Sequence, residues 1–414
     1  MATDSLWPGF HPRSTPVAVF DGQDTWLLNH PNPPPGFTPT NPTTPAGAVG
    51  SILRYRGRHP AVSANTSTLL GGVPTAAVLA RTELTADPVS WAGVALHEAF
   101  HAFQERRHPS WGPNEADMFR YPVDSVPALT GRRLETEAWR RYLEATAGGE
   151  TRGRCWASRA LGYREARYRL LDSTAIGYER ETERFEGLAR YVESRATGIP
   201  PRVPATGFPP EDVRLRSYTT GSVMALALDD AAPGWRRALE DDDRRYLDQL
   251  LATAVGTAPC PAAGQTLDTD SVARAARAAV DSLRLRRSAE RGRLMTAPGW
   301  TIQVVATGAR LFPSGFDPLN VALLDGGEVL HRRYLRLENA GGWVELYDRA
   351  AITQGTPAHP LFAGVVALTI PGLPGRPVVR DSSGTLILRA DRVTARLTGA
   401  ALSWGERVLR VHLP

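Results

Sequence analysis

The pattern of apolar and polar positions divides the chain into three parts of different character. Residues 1–50 are rich in Pro and turn formers. They hold two short β-type runs, Pro16–Phe20 and Thr25–Leu28, and a stiff extended segment, Asn29–Phe37. From residue 51 the pattern turns to β, in Ile52–Arg56 and in a hairpin with its turn at Leu69–Val73 and its second strand at Thr75–Ala80. A period of 3.6 then takes over. Asp87-Pro88 reads as the N-cap and first residue of a helix lined by Trp91, Val94, Ala95, Leu96, Phe100 and Phe103, which Arg106–Pro113 ends. Further helices are predicted at Leu129–Thr146, Arg154–Ser194 with a break near Asp172-Ser173, Gly221–Asp230, Gly234–Thr253 and Thr269–Ala289. Beyond Thr296–Gly299 short β-type runs alternate with turns, among them Thr301–Thr307, Trp343–Tyr347, Gly364–Ile370, Arg392–Leu397 and Val408–His412. Asp325–Gly327 and Ala340–Gly342 are hairpin turn signals there. The expectation is an α+β protein: a Pro-rich segment over 1–50, a core of small β-sheet and mainly helical lobe over 51–290, and an all-β sandwich or barrel over 297–414.

Composition narrows the function classes. Apolar content of 42% and charged content of 22% describe an ordinary globular chain. All 48 basic residues are Arg, and they alternate with Asp and Glu to leave a net charge of only +5, so a phosphate-binding stripe is not expected. Cys155 and Cys260 permit one disulfide and exclude a thiolate zinc site. Neither a secretion signal nor an apolar run long enough to span a membrane is seen, which makes the cytoplasm the default location.

The chemistry concentrates in Leu96-His97-Glu98-Ala99-Phe100-His101. On a helix, residues four apart share a face with Cβ atoms about 5–6 Å apart. Both imidazoles can therefore reach one tetrahedral Zn²⁺, with Glu98 beside the open position as general base. Such a site needs a third protein ligand, and two glutamates compete for the role. Glu186 lies with Glu193 along one flank of a stripe formed by Phe185, Leu188, Ala189 and Val192. The adjoining Gly187 costs about 1 kcal/mol relative to Ala inside a helix. A neighbour that leaves no room for a Cβ would justify it, and the metal helix is the expected neighbour. Glu135 falls in the middle of an apolar face made by Leu134, Ala138, Trp139, Tyr142 and Leu143, where a carboxylate must meet a cation, a donor or a metal.

His97-Glu98-x-x-His101 followed by Glu186-Gly187-x-Ala189 resembles the gluzincin group of zinc metallopeptidases, which includes thermolysin-like enzymes and aminopeptidase N relatives. The resemblance covers about residues 60–255 and implies a zincin-like core, zinc held by His97, His101 and Glu186, and hydrolysis of peptide substrates. It further implies that Tyr218, just ahead of the predicted helix from Gly221, meets the oxyanion of the tetrahedral intermediate. Glu135 or Glu193 would orient a ligand imidazole. A neighbouring strand, here the one leading into the metal helix, would offer its edge to an extended substrate. Three features depart from the group: the 85 residues from His101 to Glu186, which keep Glu135 as alternative ligand; the polar Gln104 where an apolar residue is usual; and the lack of an exopeptidase Gly-x-Met-Glu-Asn motif. The rival expectation is a catalytically inactive zincin-like protein with a binding or structural role.

Overall fold

The structure, a computed structural model, describes residues 6–40, 52–79, 87–149, 153–256 and 267–414, which fold as an α+β protein. Two compact units are formed. The first comprises Met1–Pro113, Thr130–Phe208 and Val213–Val272, and the second Asn114–Leu129, Pro209–Asp212 and Ala273–Pro414.

The first unit carries a six-stranded sheet of β1 (Val17–Phe20), β2 (Asp24–Leu28), β3 (Thr38–Pro39), β4 (Leu53–Arg56), β5 (Thr66–Leu70) and β6 (Val73–Leu79), in the order β3-β4-β2-β1-β6-β5. Strands from the Pro-rich segment are thus built into this sheet. β1 and β6 run parallel, with Val17 opposite Ala76, and the other neighbours are antiparallel. Gly71 and Gly72 turn the β5–β6 hairpin with φ of 55° and 79°, values that L side chains rarely adopt. The sequence expectation that β6 offers its edge is corrected here. β6 has β1 on one side and β5 on the other, so the edge nearest it is β5, with β3 at the far edge. The expected strand end at Ala80 lies outside the described residues.

Helix α1 (Pro88–Arg107) starts where the sequence predicts: the Asp87 carboxylate accepts from the backbone N–H of Val89 at 3.0 Å and of Ser90 at 3.3 Å. It packs on β5 and β6 and against α4 (Ser173–Thr197), which follows α2 (Val126–Ala147) and α3 (Gly153–Tyr168). The break between α3 and α4 is where Asp172 caps the new helix at Ala175 N–H. Then come α5 (Val213–Ala231), α6 (Trp235–Asp241), α7 (Leu247–Val255) and α8 (Thr269–Met295). α5 begins a full two turns before the predicted Gly221. Its Ser and Thr read as turn formers, but the Ser217 hydroxyl donates back to the Val213 carbonyl and sits inside the helix. Tyr218 therefore lies within α5, not ahead of it.

Gly187 does have a neighbour that excludes a Cβ, though not the one expected from the sequence. The neighbour is α5: a Cβ on Gly187 would stand 2.6 Å from Gly221 Cα, and one on Gly221 would stand 2.4 Å from Glu183 O. The two helices cross in backbone contact. The main apolar core gathers around α1 and the helices beyond it, with Phe100, Trp111, Trp139, Tyr191 and Trp235 joined by Trp7 and Phe10 from the N-terminal segment. Cys155 is disulfide-bonded; the chain's only other cysteine, Cys260, lies outside the described residues.

The second unit contains a seven-stranded and a six-stranded sheet formed between Trp300 and Leu413. Their facing sides share one core that includes Ile302, Val344, Leu368, Leu388 and Val411, so of the two expected forms the sandwich is found. Both turn signals connect antiparallel neighbours, Val321–Leu323 with Glu328–His331 and Tyr334–Asn339 with Gly342–Tyr347. Ala273 onward of α8 counts with this unit because Ala276 and Val280 pack with Leu129. Among the described residues no helix is long and apolar enough to cross a membrane.

Replacing Gly187 or Gly221 by Ala pushes two backbones apart. Each substitution is expected to cost about 2–3 kcal/mol, read as a lowered urea midpoint with unchanged slope; an unchanged midpoint would mean that the close crossing is not required.

Candidate metal centre

α1 presents His97 and His101 one turn apart, and α4 presents Glu186 to both. His101 Nε2 stands 3.1 Å from His97 Nε2 and 3.0 Å from Glu186 Oε2, and His97 Nε2 stands 3.4 Å from the same oxygen. All three side chains are buried. Among the described residues this trio could hold a metal ion. Tetrahedral coordination with bonds of about 2.0–2.1 Å separates donors by about 3.3 Å. The observed triangle is one face of such a tetrahedron to within a few tenths of an ångström.

The protons support the same reading. His97 Nδ1 lies 3.3 Å from Glu193 Oε2, and His101 Nδ1 lies 2.9 Å from Gln104 Oε1. Both partners are acceptors, so each imidazole carries its proton on Nδ1 and directs the lone pair of Nε2 inward. The Glu186 carboxylate closes the triangle. Its other oxygen accepts from Arg214. Burial alone would raise the Glu186 carboxyl, but His101 and Arg214 outweigh it and hold it well below the usual carboxylate range. Stripped of protons, three lone-pair-bearing atoms this close would repel one another unless a cation lay between. In the metal-free chain a proton answers that demand. Burial opposes it, yet hydrogen bonds to Glu186 and Glu193 push the His97 imidazole up to about 10.

The remaining residues marked in the sequence fall as follows. Glu98 is buried beside His97, and burial pushes its carboxyl up against the pull of both imidazoles. The half-buried Tyr218 ring stacks on His97, with centroids 5.8 Å apart and planes 10° apart. Its phenol hydrogen-bonds Glu186 and Arg214, and burial and Glu186 raise it well above the ordinary tyrosine value. Glu193 lies against His97. Room for it comes from Gly93, one turn before His97 on α1, where a Cβ would stand 3.1 Å from Glu193 Cγ.

Glu135 does not join them, and its proposed place as alternative ligand or imidazole partner is corrected. Its oxygens lie 2.7 Å from Arg164, 2.7 Å from Arg167 and 2.8 Å from Arg216. Glu179 and Glu183 complete this buried cluster through further contacts to Arg167 and Arg164, so three carboxylates face three guanidiniums. The inference that Glu135 needs a cation was right; arginine supplies it. Two residues that meet the site directly were not recognised from the sequence. Gln104 had a signal, its position three residues after His101 on the same helix face. Arg214 had none, because only the packing of α5 on α4 brings it to Glu186.

Burial would raise the Glu135 and Glu179 carboxyls, but the surrounding arginines overcome it; Glu135 is held far below the usual range and Glu179 at about 2. A lowered folded-state value gives stability that is complete above the unfolded pKa of about 4.3 and is lost as pH falls through the folded value. The first unit is therefore expected to lose stability between roughly pH 4 and 2. Glu135→Leu, which strands buried guanidiniums, is expected to cost about 3–5 kcal/mol at pH 7. Urea titrations across that pH range check both points, and a Glu135→Leu chain as stable as the parent would remove the cluster's structural role. No family model, curated protein or solved structure matches the chain.

Proposed function

We propose that the protein is a zinc-dependent hydrolase, a peptidase built on a zincin-like core. The reading rests on one observation: three inward-facing donor atoms, two imidazole nitrogens and a carboxylate oxygen, converge at 3.0–3.4 Å. Two imidazoles with one carboxylate are the ligand set of catalytic zinc sites that keep a fourth position open. Support for the scaffold comes from α1, which lies between a mixed sheet and the helix carrying Glu186.

A zinc ion held there would polarise a carbonyl and lower the pKa of its water toward ~7. The chain's own groups do the rest. Glu98, next to the first ligand on α1, takes the proton from the attacking water and returns it to the leaving amine. Glu193 orients the His97 ring, and Arg214 holds the far oxygen of Glu186. Tyr218, whose phenol hydrogen-bonds Glu186 when no substrate is present, would turn its hydroxyl to the developing oxyanion. The peptide class is supported by β5, the edge strand against which α1 packs and to which an extended chain can add main-chain hydrogen bonds.

Glu98→Gln is expected to lower the cleavage rate of a broad peptide mixture by about 10²–10⁴-fold, with zinc still near one per chain. Retained cleavage in that variant would remove Glu98 from the mechanism. A zinc-loaded parent that cleaves nothing would favour a metal-binding protein without activity.

A further inference from the structure

We propose that Gln104 is the positioning residue for His101: it fixes the ring's tautomer and rotation from the backbone of α4, and thereby sets the affinity for the metal. The inference rests on the metal-site reading above. Gln104 is completely buried. Its Oε1 accepts from His101 Nδ1 at 2.9 Å, while its Nε2 donates to the Phe185 carbonyl at 3.0 Å, with the Arg184 carbonyl at 3.5 Å. The amide cannot be turned over. A flip would set the NH₂ against the imidazole N–H and the amide oxygen against the Phe185 carbonyl, replacing two hydrogen bonds with two repulsions. The main chain of α4, through one amide, thus dictates which nitrogen of His101 bears the proton.

Phe185 directly precedes Glu186, and its ring stacks on His101 with centroids 4.3 Å apart and planes 21° apart. The ring of one ligand is therefore clamped on its face and its Nδ1 edge by the segment that delivers another. The two ligand imidazoles are also held by unlike partners. His97 leans on a carboxylate and His101 on a neutral amide, so His101 is oriented without adding a further negative charge to a centre that already holds Glu98, Glu186 and Glu193. A purely structural Gln104, tying α1 to α4, would affect stability but not the His101 proton.

The test compares the parent with Gln104→Met, which keeps the volume and lacks the acceptor, and Gln104→Glu, which keeps the acceptor toward His101. Zinc affinity is read by chelator competition, and the cobalt-loaded proteins are scanned by proton NMR for shifted, exchangeable imidazole N–H signals. The parent is expected to show two such signals. Gln104→Met is expected to lose the one from His101 to solvent exchange and to bind zinc about 10–100-fold more weakly; Gln104→Glu is expected to keep both signals and bind more tightly than Gln104→Met. Should Gln104→Met fail to fold, loss of the His101 signal in Gln104→Glu would overturn the proposal. Two persistent signals and an affinity within twofold of the parent in Gln104→Met would also overturn it, leaving the metal site standing. A parent that takes up neither zinc nor cobalt would overturn both.

Discussion

The constraint on which this structure depends is the placing of several carboxylates on the buried face of one helix. Along α4, Glu179, Glu183, Glu186 and Glu193 follow one another at spacings of four, three and seven residues, which keeps them on a common side. Each charge removed from water needs a partner of opposite sign or a strong donor. The fold divides the row. Glu179 and Glu183, at the N-terminal end, are met by Arg167, Arg164 and the Thr220 hydroxyl. Glu186 and Glu193, farther along, are met by the two imidazoles of α1, with Arg214 and Arg190 behind them. The first half balances internally. The second half has its donors aimed at one point and could hold a metal ion there.

Rigidity in α4 is what makes such a row useful. Its contact with α5 at Gly187 and Gly221 leaves no slack for rotation, because the backbones themselves touch. That contact brings Arg214 and Tyr218 to Glu186, so Gly221, packed against the Glu183 carbonyl of the buried cluster, also sets the surroundings of the candidate metal ligands. On the opposite side, Gly93 opens α1 for Glu193. Small residues at two crossings thus fix where the long polar side chains can reach.

Much of this was legible in the sequence, for local reasons. The His pair needs only helical spacing, the start of α1 needs only Asp87-Pro88, and a glycine inside a helix announces a close neighbour. What stayed hidden depends on distant segments. Glu135 was a credible ligand until α3 and α5 delivered three arginines to it. The helical state of Ser217–Ser222 was masked by residues that favour turns unless their hydroxyls bond back along the helix. Gln104 looked like a departure from an apolar pattern, since the carbonyl that gives it meaning lies 81 residues away at Phe185. The identity of the edge strand was likewise a matter of sheet order, which alternation along a single strand does not carry.

The most direct measurement is anomalous diffraction at the zinc edge from crystals of the zinc-loaded protein. On this account one strong peak lies within about 2.0–2.2 Å of His97 Nε2, His101 Nε2 and a Glu186 oxygen. Absence of a peak at that point, or a peak bound by other residues while these three side chains face one another, would contradict it.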